Sequence, residues 1–415
     1  MTPSSSLRAL AAAVLLSTIR NGAALDMASR RSVLATGATA TATWLARPPL
    51  APAATTTAAA PPAIPTWTLE NGVIEGSVVQ MPLLALNTVG LSAETTEKAV
   101  SLAVASGISH IDFHPGAERD GVGRYIKGGS TENRRAGLFL TTKIRKAPPG
   151  TTSFDAANAA AKQIDEDLLA LGVEQTDMLM LRDSPDKGVI QTQWRALEEA
   201  LRAGKTRSIG VVNFCEGALG AVLDKKVTTN SIVPAVNYYM LHPGMGSDAH
   251  GLKSFGESRG VKTFAYGAVG EPGPAPELVS GAALDPTIDR IAKAHRRAPE
   301  EVALRWNLQN GAAVSVRPTT QFALGTSTCD DTDSVSGACR AGLRSRADSF
   351  SWSLTAKDME QLDALTAPDG NPTLFSSAGC PDAFVFPAAT ATTAQSGEAA
   401  DQWWLPRAPK SSRKA

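Results

Sequence analysis

The sequence predicts an α/β protein that folds as a single (β/α)8 barrel. Short apolar runs alternate with longer amphipathic segments from Trp67 to Thr366, which is the pattern of repeated strand–helix units around a parallel sheet. About eight such units in about 300 residues match the size of a barrel. An open, doubly wound sheet is disfavoured because no glycine-rich phosphate-binding loop follows the first predicted strand.

The elements are assigned in chain order from these patterns. A hairpin from Thr68 to Pro82, with Asn71-Gly72 as its turn, is expected to cover the floor of the barrel. The polar, glycine-rich segment 321–348 is expected to be an inserted loop before the last helix. The predicted strands are 83–87, 109–113, 138–143, 178–181, 208–212, 235–238, 262–265 and 313–316. The predicted helices include 94–105, 154–170, 193–203, 287–295, 299–308 and 355–365.

The composition favours a small or neutral partner. The chain has 40 Lys+Arg and 40 Asp+Glu, so no net charge attracts it to nucleic acid or to anionic membranes. Its four cysteines show no CxxC or Cys/His spacing, and no metal site is therefore predicted. Cys329 and Cys339 lie in one Gly/Ser/Asp-rich stretch and could close a loop disulfide in an oxidising compartment, whereas Cys215 is expected only to pack at a helix start.

Residues 1–65 have the composition of a targeting leader. They are rich in Ala, Thr, Ser and Pro and nearly free of acidic residues. Arg8 precedes an apolar stretch that is too short to span a bilayer. Ser29-Arg-Arg-Ser-Val-Leu34 resembles a twin-arginine motif, and Ala51-Pro-Ala53 offers a small-residue cleavage site. Such a bipartite leader predicts delivery to a plastid and then to the thylakoid lumen, with a mature form that does not span the membrane. The alternatives are a single export signal or a chance Arg-Arg pair.

The domain organisation follows from these boundaries. We expect the leader over 1–65, the barrel over 66–378 with the insertion at 321–348, and a disordered tail over 379–415. The tail is assigned from its Ala, Thr, Ser and Gly content, which cannot form a packed core.

Two charged residues stand where a barrel enzyme places its catalytic groups. Asp112 follows the apolar run Ile108-Ser-His-Ile111, and Lys143 closes Leu138-Phe-Leu-Thr-Thr142. Each would lie at the C-terminal end of a strand, which is the functional face of a barrel. Because the two strands belong to adjacent units, we expect the side chains to pair at the barrel mouth.

An ordered series of motifs covers nearly all of residues 67–366. The motifs are Gly107-Ile-Ser-His-Ile-Asp112, Gly121-Val-Gly-Arg124, Thr141-Thr-Lys143, Trp194-Arg-Ala-Leu-Glu-Glu199, Gly204-Lys-Thr-Arg-Ser-Ile-Gly210, Pro234-Ala-Val-Asn237 with His242-Pro243, Ala265-Tyr266 and Leu304-Arg-Trp306. In this order they resemble the aldo-keto reductase family. The resemblance implies that NADPH lies across the barrel mouth and gives a hydride to a carbonyl or aldehyde, while an aspartate, a tyrosine, a lysine and a histidine manage the proton.

The resemblance fails at two of the four catalytic positions. Asp112 and Lys143 match the aspartate and the lysine, but the tyrosine position falls near Gly116 or Ala117, neither of which can donate a proton. The histidine position holds Arg182, or Asp183 if the alignment shifts by one, and arginine stays charged.

Two side chains could replace the missing proton donor. His114, two residues beyond Asp112, is the titratable group that could act near neutral pH, although an exposed loop histidine without a role is the simpler interpretation. Tyr238 could donate from the opposite wall.

The resemblance also assigns a cofactor site. Tyr266 would stack on the nicotinamide, and Asn237 would contact its carboxamide, although the glutamine expected next is Tyr238. The expected serine is replaced by Val212. Arg344 and Arg346 are candidates for the arginine that the insertion displaces. The residues assigned to the NADP(H) site are Asn213, Asn237, Tyr266, Arg317 and Thr319.

Two functional hypotheses stand together. The first is an NADPH-dependent carbonyl or aldehyde reductase with weak or altered catalysis. The second is a catalytically inactive barrel that binds a nucleotide, a small molecule or a protein partner. The retained Asp112 and Lys143 favour the first, and the missing tyrosine and histidine favour the second.

Overall fold

Eight parallel strands close into a barrel, as the sequence predicts. The computed structural model describes residues 63–69, 78–129, 131–223, 232–248, 251–268, 287–318 and 333–365. Residues 1–62 of the predicted leader, the Asn71-Gly72 turn and the predicted tail over 379–415 lie outside these ranges. No helix among the described residues is both long and apolar enough to cross a membrane.

The barrel strands follow each other round the sheet in chain order, and the last strand pairs with the first. A separate antiparallel pair precedes them. The strands are β1 Thr66–Leu69, β2 Val79–Pro82, β3 Leu84–Asn87, β4 His110–Asp112, β5 Phe139–Lys143, β6 Met178–Arg182, β7 Ile209–Val212, β8 Val236–Met240, β9 Lys262–Tyr266 and β10 Ala313–Val316.

Four of the described helices begin at a residue whose side chain caps the first turn. Ser92 accepts a hydrogen bond from Thr95 N, and Thr152, Asp186 and Thr355 cap three later helices in the same way. The described helices are α1 Ala93–Ala105, α2 Ala117–Lys127, α3 Thr131–Ala136, α4 Ser153–Leu171, α5 Lys187–Arg202, α6 Glu216–Leu223, α7 Leu252–Glu257, α8 Thr287–His295, α9 Pro299–Gln309, α10 Asp333–Asp348 and α11 Ala356–Asp363.

The β1–β2 hairpin lies at the N-terminal ends of the barrel strands, as predicted. Lys262, the first residue of β9, places its ammonium 5.4 Å from the centre of the Trp67 ring. His110 ties the hairpin to the barrel, because its Nδ1 lies 2.9 Å from the Pro82 carbonyl and its Nε2 lies 2.8 Å from Thr141 Oγ1. Burial lowers the pKa of His110 to about 4, so the ring is neutral at pH 7. Nδ1–H therefore donates to Pro82, and Nε2 accepts from Thr141.

Helices α1 and α2 pack closely at a glycine. A Cβ at Gly121 would collide with the Ala93 carbonyl oxygen and would lie 2.5 Å from the Thr96 Cβ. The α2 backbone can therefore reach α1 only because position 121 has no side chain. This contact fixes the first turn of α2, which carries Glu118.

The prediction of an inserted loop at 321–348 is wrong for its second half, which forms helix α10. The polar composition hides a buried stripe at intervals of four residues, formed by Cys339, Leu343 and Ala347. Residues 321–332 lie outside the described part of the chain.

Two predicted boundaries were also too short. Helix α5 begins at Lys187 rather than at residue 193, because Asp186 accepts hydrogen bonds from Gly188 N and Val189 N. Strand β8 runs on to Met240, so Tyr238 is a central residue of the strand and not its last.

Candidate active site

The centre of the barrel mouth is a buried ion pair. Asp112 ends β4 and Lys143 ends β5, and the Lys143 ammonium donates a short hydrogen bond to Asp112 Oδ1. The ammonium also donates to the Phe113 carbonyl oxygen at 3.3 Å. Both charged side chains are buried. The predicted pairing of Asp112 with Lys143 is confirmed.

Three further strands send polar groups to this pair. Asp112 Oδ2 accepts a hydrogen bond from the Tyr238 hydroxyl at 2.6 Å and another from Ser315 Oγ at 2.8 Å. Asn87 Nδ2 donates to the Tyr238 hydroxyl at 3.1 Å. The carboxylate thus accepts hydrogen bonds from groups on β5, β8 and β10, and Asn87 on β3 joins the network through Tyr238. Tyr238 was expected on the opposite wall, and its hydroxyl reaches across the barrel to Asp112.

The charges of the network set which groups hold a proton. Burial alone would raise the pKa of Asp112, but the charges of Lys143 and His114 and the hydrogen bonds from Lys143 and Tyr238 hold it below its usual value. Burial lowers the pKa of the Lys143 ammonium, with Asp112 opposing the shift. Burial and the Asp112 carboxylate raise the pKa of Tyr238 well above its usual value. Tyr238 is therefore a protonated hydrogen-bond donor and a poor acid near neutral pH.

His114 lies beside this network and is held by Glu118. Its Nδ1 lies 3.0 Å from Glu118 Oε2, and its backbone N–H donates to the same oxygen at 2.9 Å. The imidazole is 20% exposed, whereas Asp112 and Lys143 are almost completely buried. Burial lowers the pKa of His114, and Lys143 lowers it further, while Glu118 opposes the shift. The prediction of a plain exposed loop histidine is wrong, because the ring is mostly buried and paired.

Glu118 is a site residue that the sequence analysis missed. The sequence feature that could have revealed it is its spacing from His114. Glu118 lies in the first turn of α2, four residues after His114, and the two side chains meet. That spacing occurs in many surface helices and gains meaning only from burial.

Arg182 occupies the last position of β6, where the family pattern has histidine, and it is partly exposed. Its charge lowers the pKa of both His114 and Lys143, which places it on the same side of the mouth. Asp183, the alternative in the shifted alignment, is buried and pairs with Lys146 at 3.2 Å. Arg182 can stabilise negative charge but cannot release a proton.

The residues assigned to the nicotinamide lie on the other side of the mouth and bond to protein groups. Asn213 Oδ1 accepts from the Tyr266 hydroxyl at 2.9 Å, and the Tyr266 ring meets the Tyr238 ring edge-on at 5.0 Å. Asn237 Nδ2 donates to the Phe214 carbonyl at 2.7 Å, and Phe214 N donates to Asn237 Oδ1 at 3.2 Å. In this arrangement Asn237 stabilises the turn after β7, and its contact with a carboxamide stays a prediction.

Two arginines, Arg317 after β10 and Arg344 on α10, have groups suited to a phosphate. Arg317 is partly exposed and donates to the Val89 carbonyl at 3.2 Å. Arg344 on α10 has a buried Nε–H that has no hydrogen-bond partner among the described residues. An unsatisfied guanidinium donor matches the oxygens of a phosphate group. Thr319, the remaining predicted contact, lies outside the described residues.

The two cysteines within the described part of the chain, Cys215 and Cys339, are buried, and each takes part in a disulfide bond. The expectation that Cys215 only packs at a helix start is wrong, since sequence spacing does not show which thiols meet in space. Cys329 lies outside the described residues, so its predicted pairing with Cys339 stays a prediction.

A parallel barrel with charged groups at its strand ends is the frame of a barrel enzyme. The model of the aldo/keto reductase family matches residues 84–366, and the chain belongs to this family. The chain is 29% identical over 311 residues to morphine 6-dehydrogenase of Pseudomonas putida, which covers 72% of this chain and 91% of that protein. It is 35% identical over 236 residues to an aldo-keto reductase of Mycobacterium marinum, which covers 56% of this chain and 76% of that protein.

Solved structures share the fold. An aldo/keto reductase from Brucella melitensis superimposes with a TM-score of 0.57 at 25% identity, over 72% of this chain and 99% of that chain. A substituted form of Gox0644 in complex with NADPH superimposes with a TM-score of 0.58 at 23% identity, over 76% of this chain and 98% of that chain.

Proposed function

We propose that this chain is an NADP(H)-dependent oxidoreductase that reduces a small carbonyl compound or aldehyde, with His114 as the proton donor in place of the family tyrosine. The observation that carries the proposal is the position of His114. It is partly exposed and lies next to the buried Asp112–Lys143 pair, at the strand ends where barrel enzymes act.

Two arginines support NADP(H) as the cofactor. Arg317 and Arg344 would hold its phosphate groups, since both present guanidinium donors and the buried Nε–H of Arg344 lacks a partner among the described residues. The family membership and the NADPH complex of Gox0644 add support. When bound, the dihydronicotinamide supplies the hydride for the carbonyl carbon.

The protein side chains would supply the proton and stabilise the negative charge on the carbonyl oxygen. The protonated His114 imidazole would donate a proton to the carbonyl oxygen. Lys143 and Arg182 would stabilise the negative charge that develops on that oxygen, and Asp112 keeps the Lys143 ammonium in place. Burial and the charge of Lys143 lower the pKa of His114, so only a small part of the protein is protonated at neutral pH. We therefore expect slow reduction that becomes faster as the pH falls.

A second function, a catalytically inactive barrel that binds a nucleotide or a partner, is favoured by one observation. Two side chains that would face substrate or cofactor already form hydrogen bonds with protein groups. Tyr238 donates to Asp112, and Asn237 bonds to the Phe214 backbone. Binding of NADPH without turnover would follow from that arrangement.

The test compares NADPH binding with turnover. NADPH is first titrated by its nicotinamide fluorescence, and NADPH oxidation is then followed with a reactive aldehyde in the wild type, His114→Ala and Lys143→Ala. His295→Ala is a matched control, because His295 also pairs with a carboxylate and is 21% exposed, but lies on the outer helix α8.

The oxidoreductase proposal expects a slow wild-type rate that His114→Ala lowers by about 10²–10⁴-fold and that the control leaves unchanged. Identical rates in the wild type and His114→Ala would remove His114 from the mechanism. Binding without any turnover would establish the inactive barrel.

We also propose that the mature protein works in an oxidising compartment, with the thylakoid lumen as the destination of its leader. The disulfide-bonded Cys215 and Cys339 support this, because disulfides persist in such compartments and are rare in reducing ones. Fusing residues 1–65 to a fluorescent protein and substituting Arg30 and Arg31 tests it. Unaltered targeting after that substitution would exclude the twin-arginine step.

A further inference from the structure

We propose that Glu118 is a positioning residue that fixes the tautomer and the orientation of His114 for proton transfer. The proposal rests on the proposed function, since it specifies how the donor of that reaction is held. Its first support is geometric, because one carboxylate binds both the ring and the backbone N–H of the same histidine.

The Glu118 carboxylate is itself immobilised. Its Oε2 also accepts a hydrogen bond from Thr88 Oγ1 at 2.9 Å, and its Oε1 accepts one from Gly90 N at 2.9 Å. The side chain is buried. A carboxylate that accepts four hydrogen bonds in a buried site cannot rotate without breaking several of them. Glu118 therefore joins the loop after β3 to the loop after β4 and leaves His114 a single ring position.

The protonation of the pair follows from its surroundings. Burial would raise the pKa of Glu118, but His114, the Gly90 N–H and Lys143 hold it below its usual value, so it is ionised. An ionised carboxylate can only accept, and His114 Nδ1 must then carry the proton between them. Nε2, on the opposite side of the ring, is left for the substrate oxygen.

The proton balance of the step is simple. With the hydride that NADPH would supply to the carbonyl carbon, the carbonyl oxygen would take the Nε2 proton of the imidazolium, and an alcohol would form. The ring would be left neutral, with its remaining proton on Nδ1 and donated in a hydrogen bond to Glu118. The charged groups that face the ring are Asp112 on β4, Lys143 on β5, Arg182 on β6 and Glu118 on α2. Lys143 and Arg182 favour the neutral ring, and Glu118 opposes them.

The experiment combines Glu118→Gln with a direct measurement on His114. The 15N shifts of histidine side chains are followed against pH in the full chain, and the His114 signal is assigned by its loss in His114→Ala. Because glutamine carries no charge, His114 should titrate at a lower pH in Glu118→Gln than in the wild type. The kcat for aldehyde reduction should fall by about 10²-fold with little change in KM.

Two further variants serve as a control and as a milder form of the same change. Glu301→Gln removes a second buried carboxylate that also accepts from a backbone N–H, that of Ala298, and it should change neither readout. Thr88→Val removes one hydrogen bond from Glu118 and should shift both readouts in the same direction by less. It also serves as the test if Glu118→Gln does not fold.

The outcomes separate the two proposals. A lower titration pH of His114 in Glu118→Gln supports the positioning role even if the wild type shows no turnover, in which case only the proposed function fails. An unchanged His114 titration in both variants would overturn the role of Glu118, whatever the wild-type rate.

Discussion

The two sides of the barrel mouth differ in how they use their polar groups. On the β4–β5 side, Asp112 and Lys143 are buried and paired, and His114 extends from them to a partly exposed position. On the β7–β9 side, Asn213 and Asn237 are buried and bonded to Tyr266 and to the Phe214 backbone. The β4–β5 side, which lacks the family tyrosine, therefore has a partly exposed titratable group in His114. On the β7–β9 side, the retained Asn213 and Asn237 are hydrogen-bonded within the protein.

This contrast shows that a retained residue and a retained role are different things. Asn237 keeps its place in the motif, yet its amide completes the hydrogen bonds of a turn. His114 matches no family position, yet it is the mostly buried imidazole next to the Lys143 ammonium.

Removing Lys143 should have the largest effect on stability. Lys143→Met leaves the Asp112 carboxylate buried without its counter-charge, so the free energy of unfolding should fall by about 3–5 kcal/mol. Urea denaturation followed by circular dichroism measures the loss. The double variant Asp112→Asn with Lys143→Met should recover much of it, and a double variant as unstable as the single one would show that the charge pair is not the cause.

Acid should weaken both sides of the barrel through two buried histidines. Burial lowers the pKa of His110 on β4 and that of His242 after β8 from the ordinary value of 6.5 to about 4. The unfolded chain therefore binds protons between about pH 6.5 and 4 that the folded protein does not, and stability falls as the pH drops through this window. Each histidine should contribute on the order of 3 kcal/mol over the whole window.

Denaturation curves at several pH values measure this slope. Above about pH 6.5 both histidines are neutral in the folded and unfolded states, and their contribution is constant. His110→Gln should remove the His110 part of this slope and leave the parts that come from His242 and His114. An unchanged slope in His110→Gln would mean that other groups control acid unfolding.

Asn237→Ala tests whether the β7–β9 side is structural. The substitution leaves the Phe214 N–H and carbonyl without their partner, and the free energy of unfolding should fall by about 1–3 kcal/mol. Thermal and urea unfolding measure the change. If stability is unaffected while NADPH affinity is lost, Asn237 is a cofactor ligand and the structural interpretation is wrong.

The smallest effect is expected at Asn213. Its φ is 59°, in the left-handed region that alanine disfavours. Asn213→Ala and Asn213→Gly both lose the hydrogen bond to Tyr266, but only alanine adds backbone strain, so it should be the less stable variant by about 1 kcal/mol. Comparison of the two melting curves isolates the backbone effect. Equal stabilities would show that the backbone relaxes at this position.

The barrel and its charged pair could be predicted from the sequence because both depend on local patterns. Apolar runs mark the strands, and Asp112 and Lys143 follow directly from the strands they end. Helix α10 was missed because its buried stripe of Cys339, Leu343 and Ala347 lies in a segment of polar composition.

The rest of the site depends on contacts between distant parts of the chain. Tyr238 lies 126 positions from Asp112, and Ser315 lies 203 positions from it, so only closure of the barrel brings their hydroxyls together. Glu118 is near His114 in sequence, but its bonds to Thr88 and Gly90 come from the preceding unit. No spacing rule predicts which distant groups bind the Asp112 carboxylate or which bind the Glu118 carboxylate.

The contact of α2 with α1 at Gly121 connects the chemistry of the mouth to the outer surface. Glu118 lies one helical turn before Gly121, so the seating of the two helices determines where the carboxylate lies relative to the barrel axis. A methyl group at position 121 would push α2 outward without touching any residue of the mouth. Reactivity in this protein can thus be tuned from its outer layer, by changes that leave the composition of the mouth intact.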